Sequence, residues 1–273
     1  LLLIFFLQNH QNTITLEFSK IEPLAGGHYE AWAVYKDKTL SLGKFNAKNP
    51  VTLSSPESLR KAKSIMITIE PEEDSDFIPS NIVFLEGKVP FIDSKMTLNF
   101  PVDFSEISGT YILSTPTNGP NTNEYSGVWF MTLPEKTQSL NLPELPETWI
   151  YQAWIFNQNK PVSAGRFSSL DSPDRQDKHN RFLPPFPFPG EDFLIKPPEK
   201  VALPLNLADG KSMVFITVEP DLNNEDPTGP LPFQVRPLIS DVKEDAPENE
   251  NIDFDLNLVS IPKAKAKLSK SKK

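Results

Sequence analysis

The chain has 273 residues, 38% of them apolar, with 28 prolines, 11 glycines, no cysteine and a net charge of −9. The apolar share suffices for a packed core, and the net acidity disfavours nucleic-acid binding, which wants a basic face. The absence of cysteine excludes disulfides, thiolate nucleophiles and Cys-ligated zinc, and proline at twice its usual share of about 5% disfavours long helices.

The sequence opens LLLIFFLQ (residues 1–8), too short an apolar run to span a bilayer, which takes about 20 residues. Three readings stay open: a signal or membrane-anchor remnant, an apolar strand carrying Leu3 and Phe5 that pairs with another subunit, or a boundary without structural meaning. Ile14, Leu16 and Phe18 then alternate with polar residues, the period of a half-buried strand. Further strands are predicted at 29–35, 63–70, 82–85, 96–100, 110–114, 127–132, 149–156, 213–219, 233–238 and 252–258. The only helical signal is one turn after Ser55, with Pro56 at its first position. Many short strands between Pro, Asn and Asp clusters predict an all-β chain of β-sandwich (Ig-like) type with little helix, a single barrel being the alternative.

An internal repeat points to two such sandwiches. YEAWAVYKDKTLSLGKF at 29–45 and YQAWIFNQNKPVSAGRF at 151–167 align without a gap and share seven of seventeen residues. Each is followed by a strand ending in Glu-Pro, ITIEP at 67–71 and ITVEP at 216–220. The second interval is 27 residues longer, essentially a Pro- and Phe-rich loop at 171–196, and such long loops are often functional. The expected organisation is an apolar segment at 1–8, one sandwich at 9–90, a second at 91–245, and an acidic link, terminal strand and Lys-rich tail at 246–273.

Within the repeat, strand parity sets Tyr29 and Trp32, and Tyr151 and Trp154, on opposite faces. Trp32 shares a face with Val34, and Trp154 with Phe156, so that face is the predicted core, leaving the tyrosine hydroxyls wet. Gly43 and Gly165 mark a bulge or a close approach. An exposed Trp–Tyr platform for a glycan is the competing reading.

The ordered set Tyr29, Trp32, Ser41, Gly43, Phe45, then Thr68-Ile69-Glu70-Pro71, resembles the outer domain of anti-sigma-K factors. Tyr151, Trp154, Ser163, Gly165, Phe167 and Thr217-Val218-Glu219-Pro220 repeat it. The segments 127–130, 142–146 and 188–193 are similar to those of longer exported relatives. The resemblance implies a β-sandwich in an extracytoplasmic setting. The sequence departs from the full family plan, with two outer domains, no helical sigma-gripping part and no complete membrane span, so sigma-factor binding is not carried over. It brings no catalytic residues.

His10, His28 and His179 lie in loop-like contexts with neither H-x-H nor H-E-x-x-H spacing, and no nucleophile elbow or phosphate loop is present. An enzyme is not expected, nor a bound cofactor. Ca²⁺ is the one ion considered, through Glu72, Asp74 and Asp76 after the first Glu-Pro and Asp221, Glu225 and Asp226 after the second; solvated acidic turns are the alternative. Glu70 and Glu219 are expected to accept backbone hydrogen bonds at strand ends. The lysines beyond 263 read as a mobile tail able to meet an acidic surface.

The leading expectation is an exported interaction or assembly protein whose partner is another copy of itself. Strand exchange would use Leu3, Phe5, Ile14, Leu16 and Phe18, or Ile252, Phe254, Leu256 and Leu258, and head-to-tail addition generates filaments. A sensing ectodomain and a small-ligand or glycan binder are the alternatives. Membrane attachment through the N-terminal segment is also considered.

Overall fold

The computed structural model describes residues 11–74, 76–118, 122–175, 187–198, 200–222 and 226–270. These residues form an all-β protein with only three short 3-10 turns and no α-helix among them. In chain order the first strands are β1 (Thr13–Phe18), β2 (His28–Val34), β3 (Thr39–Phe45), β4 (Val51–Ser54), β5 (Ser64–Glu70), β6 (Val83–Lys88) and β7 (Lys95–Asn99). Next come β8 (Ser108–Leu113), β9 (Val128–Trp129), β10 (Leu140–Asn141), β11 (Trp149–Asn157), β12 (Lys160–Phe167) and β13 (Gly190–Glu191). The last are β14 (Met213–Pro220), β15 (Leu238–Asp241), β16 (Ile252–Asp253), β17 (Asp255–Leu256) and β18 (Lys263–Ser269).

The chain divides into two compact units, and their boundaries differ from those expected. Unit 1 holds residues 1–101, 227–229 and 262–273; unit 2 holds 102–226 and 230–261. Residues 263–269 of the lysine tail are therefore no loose end. In KAKAKLS the residues Ala264, Ala266 and Leu268 point inward and Lys263, Lys265 and Lys267 point outward. That alternation makes β18 a strand, inserted between β1 and β7.

Unit 1 is one antiparallel sheet in the order β3-β2-β5-β6-β7-β18-β1-β4. It folds over itself, since β3 and β4, at opposite ends of that order, lie against each other. Aromatic rings from distant strands meet inside: Tyr29 stacks on Phe45 at 5.7 Å and touches Phe84 at 5.1 Å, while Phe18 lies 5.8 Å from Phe45. Buried rings of this size supply much of the apolar burial that stabilises the unit.

Unit 2 contains a sheet ordered β10-β8-β9-β13, with β16 beside β8, and a sheet ordered β12-β11-β14-β15-β17. Rings from both fill its interior: Tyr151 on Phe167 at 5.9 Å, Phe130 on Phe167 at 6.2 Å and on Phe254 at 6.3 Å, and Phe254 on Tyr111 at 5.0 Å. The long 171–196 segment is in part structural. Its residues 190–191 pair with Val128 and Trp129, and Asp192 and Phe193 are fully buried.

The two repeat blocks have one local geometry. The hairpin and its neighbour, β3-β2-β5 and β12-β11-β14, share register: Tyr29 faces Ile69 as Tyr151 faces Val218, and Trp32 faces Met66 as Trp154 faces Phe215. Both carry a bulge where the hairpin register shifts, beside Gly43 at φ 130° and Gly165 at φ 114°. Both faces of these strands are covered, not the tryptophan face alone. The tyrosine side holds the aromatic core, and each hydroxyl donates to a nearby carbonyl, Tyr29 to Glu22 at 3.0 Å and Tyr151 to Pro143 at 2.7 Å. On the tryptophan side Phe156 is 36% exposed. Parity separated Tyr from Trp, but strand β2 is covered on both faces, so parity alone did not identify the core.

Several predicted elements shift. The turn after Ser55 winds later, at Leu59–Lys61, and Ser55 Oγ accepts only the Glu57 amide, at 3.1 Å. The strand expected at 233–238 starts at Leu238, because the Phe233 amide is drawn to Glu219 and Pro237 lacks an amide hydrogen.

Candidate functional site

Each repeat builds the same buried chain of polar groups. Trp32 Nε1 donates to Thr68 Oγ1 at 2.8 Å, and the threonine hydroxyl donates on to Glu70 Oε1. The Ser80 amide donates to both Glu70 oxygens, at 3.0 and 3.1 Å. In unit 2, Trp154 Nε1 donates to Thr217 Oγ1 at 2.9 Å and to Glu219 Oε1 at 3.3 Å. Thr217 donates to Glu219, and the Phe233 amide donates to both carboxylate oxygens at 3.0 and 3.2 Å. Threonine and glutamate two apart on one strand share a face, which explains the T-x-E spacing. Burial, with the nearby charge of Asp226 adding to it, pushes Glu219 up to about 7 despite the hydrogen bonds it accepts. Trp32, Trp154, Tyr29 and Tyr151 are all at most 4% exposed, so they offer no platform to a glycan.

A second buried acid stands in unit 2. Asp192 accepts from Trp129 Nε1 at 2.8 Å, from the Thr117 amide at 3.1 Å and from the Thr117 hydroxyl. Burial raises it to about 6 against those donors. These groups tie the inserted segment to the core.

The proposed calcium ligands do not assemble as two clusters. Asp221 lies between Arg166 at 3.5 Å and Arg175 at 3.0 Å, so its charge is already matched. Glu225 lies outside the described residues, as do Leu3 and Phe5. Glu72 is exposed, and Asp76 accepts the Ile78 amide of its own loop at 2.7 Å. Asp74 instead turns toward β2 and β3, where Lys44 Nζ binds its carboxylate at 3.2 Å. There it joins His28 and Glu30, and one ligand atom from each lies within 4.8 Å of the others. His28 opens β2 and is not in a loop as expected. The sequence signal was the His-x-Glu spacing, which puts two side chains on one strand face; Asp74, 44 residues on, gave none.

The residues expected to exchange strands are engaged at home. Ile14, Leu16 and Phe18 are buried, and β1 is paired on both sides, with β18 and with β4. Ile252 pairs with Tyr111, Leu256 with Leu238, and Phe254 is buried between Tyr111 and Phe130. Leu258 enters a 3-10 turn and is 42% exposed. For Ile14, Leu16 and Phe18 this corrects the strand-exchange expectation, because β1 has a partner on both sides and presents no open edge, whereas β16 and β17 each have a partner strand on one side among the described residues.

What unit 1 does present is a lysine face. Across β1, β18 and β7 a half-open cavity of about 690 Å³ is lined by Thr15, Glu17, Lys95, Thr97, Lys265 and Lys267. The register sets Lys267 directly between Lys95 and Thr15, and Lys265 between Thr97 and Glu17. Like charges opposite each other in a sheet are destabilising. Among the described residues, Lys95, Lys265 and Lys267 have no carboxylate within ion-pair distance. Unit 2 carries the opposite feature, six exposed acids between 244 and 255: Glu244, Asp245, Glu248, Glu250, Asp253 and Asp255.

Comparison with known proteins places no family beside this geometry: no family model, no curated protein and no solved structure matches the chain.

Proposed function

We propose that this chain is a non-enzymatic, exported β-sandwich protein that assembles with copies of itself, the lysine face of one copy receiving the acidic 244–255 ribbon of another. The observation that carries the reading is Lys95 opposite Lys267 on an open sheet face, in a chain of net charge −9. Keeping like charges paired across strands costs stability, and an anionic partner offsets that cost. The two surfaces belong to different patches, so the contact is heterologous and propagates head to tail. Export rests on the resemblance to anti-sigma-K outer domains. The shared register, bulge and Trp–Thr–Glu chain support descent of both units from one duplicated sandwich. Sedimentation velocity on the full chain tests assembly: oligomers at low salt should dissolve at high salt, because exposed charge pairs are screened. A monomer at both salts overturns the reading.

A second reading, attachment to a membrane surface, is favoured by Phe91 and Ile92, which are 97% and 86% exposed. The Arg60 guanidinium holds the carbonyls of Pro90, Ile92 and Asp93, while its Nε donates to Gln11 at 2.7 Å. The apolar loop thus sits where the chain, after its apolar residues 1–7, enters β1. Co-sedimentation of the full chain with anionic vesicles, lost in an F91S/I92S variant, would support this; equal binding by both proteins would exclude a role for the loop.

A further inference from the structure

We propose that His28, Glu30 and Asp74 form a site for a divalent transition-metal ion, zinc being the simplest fit. His28 and Glu30 project from the same face of β2, and Asp74 reaches them from the loop after β5. His28 Nε2 lies 3.8 Å from Glu30 Oε2. Zinc bonds of about 2.1 Å at tetrahedral angles set ligand atoms about 3.4 Å apart, so these atoms stand near bonding positions already.

The state of Glu30 shows that the cluster is incomplete without a further cation. Its residue is 3% exposed, one oxygen accepts the Ser41 hydroxyl, and Oε2 has no hydrogen-bond partner. His28 Nε2, facing it, has none either. Among the described residues the only ammonium within ion-pair distance, Lys44, is 4.0 Å from that oxygen and is bound to Asp74. Two nearly buried carboxylates therefore share one lysine, and an unsatisfied buried carboxylate oxygen is costly. A bound M²⁺ ion takes that oxygen, the imidazole nitrogen and an Asp74 oxygen together. The Lys44 side chain is 45% exposed, so it is free to give up its place.

Unit 2 provides the contrast. Ile150 and Gln152 stand where unit 1 has His28 and Glu30, Gln152 Nε2 donates to Ser163 at 2.9 Å, and Asp221 is matched by two arginines. Among the described residues the ligand set is thus confined to unit 1, and the histidine and glutamate are its distinguishing residues.

The test is isothermal titration of the full chain with ZnCl₂, followed by the H28A and E30Q variants. E30Q installs the residue that unit 2 carries at the matching position, and circular dichroism of each variant checks its fold. The expected result is one zinc per wild-type chain and, in both variants, affinity weakened at least as much as the ~10–100-fold that loss of a mere outer-shell partner costs. K44M, which removes the competing cation, should bind zinc more tightly. Absence of zinc binding by the wild type, or binding that folded H28A and E30Q leave intact, overturns the site.

Discussion

Trp32 and Thr68 are joined by a 2.8 Å hydrogen bond from the indole N–H to the threonine hydroxyl, and Trp154 and Thr217 repeat it at 2.9 Å. The copies differ at the indole. Trp154 also reaches Glu219, at 3.3 Å, whereas Thr68 is the acceptor recorded for Trp32. Replacing either threonine by valine removes the acceptor and leaves a buried donor, a loss of about 1–3 kcal/mol. T68V should therefore destabilise the protein more than T217V, measured by urea unfolding. Equal losses would mean that the Glu219 contact contributes nothing.

Glu219 gives the fold a pH dependence of known sign. Its folded value of about 7 lies above the usual 4.5, so between those values the folded state keeps a proton that the unfolded chain has released. Its contribution is fully present below about pH 4.5 and is lost as pH rises toward 7, a change of about 3 kcal/mol. Asp192, raised to about 6 from 3.8, acts in the same direction over a lower window. Denaturant midpoints at pH 5 and pH 7.5 should show a larger fall in wild type than in E219Q, where the titrating group is gone. Parallel falls would remove Glu219 as the source.

The bulge glycines make a matched pair with unequal surroundings. Both hold a positive φ that strains an L-residue. A Cβ on Gly43 would meet only Leu53 Cδ2 at 3.5 Å, an ordinary contact. On Gly165 it would fall 2.2 Å from Asp174 Cγ, whose residue is 8% exposed and has little room to move. G43A should cost about 1–3 kcal/mol from backbone strain, and G165A should cost more by overpacking. Thermal unfolding of the two variants decides the order.

Much of the fold was legible because its strands alternate cleanly. Ile14, Leu16 and Phe18 announced β1, and the paired W…SxGxF…TxEP blocks announced two hairpins with identical register. What stayed hidden depends on distant pairing. Ser269 lies opposite Thr13, and only that closure reveals β18 as part of unit 1. The KAKAK alternation was already a strand signal, but alanine is so weakly apolar that the lysines dominated the reading. The site residues divide the same way. Glu70 and Glu219, beside prolines at strand ends, were recognisable as acceptors. The His28–Glu30–Asp74 cluster needed the 71–82 loop to fold back on β2, and no local pattern encodes that.

The central claim is that the lysine face of one copy binds the acidic ribbon of another, and a charge-swap experiment in light scattering tests it most directly. At low salt the wild type should show a mass that rises with concentration. A K265E/K267E variant should remain a monomer, and so should one with Glu244, Asp245, Glu248 and Glu250 changed to lysine. Mixed together, the two variants present two complementary pairs, the wild-type lysine face with the wild-type acidic ribbon and the glutamate-substituted face with the lysine-substituted ribbon, and should restore oligomers in which the two alternate. Oligomers that persist in either variant alone, or wild type that stays monomeric across concentration, would contradict the account.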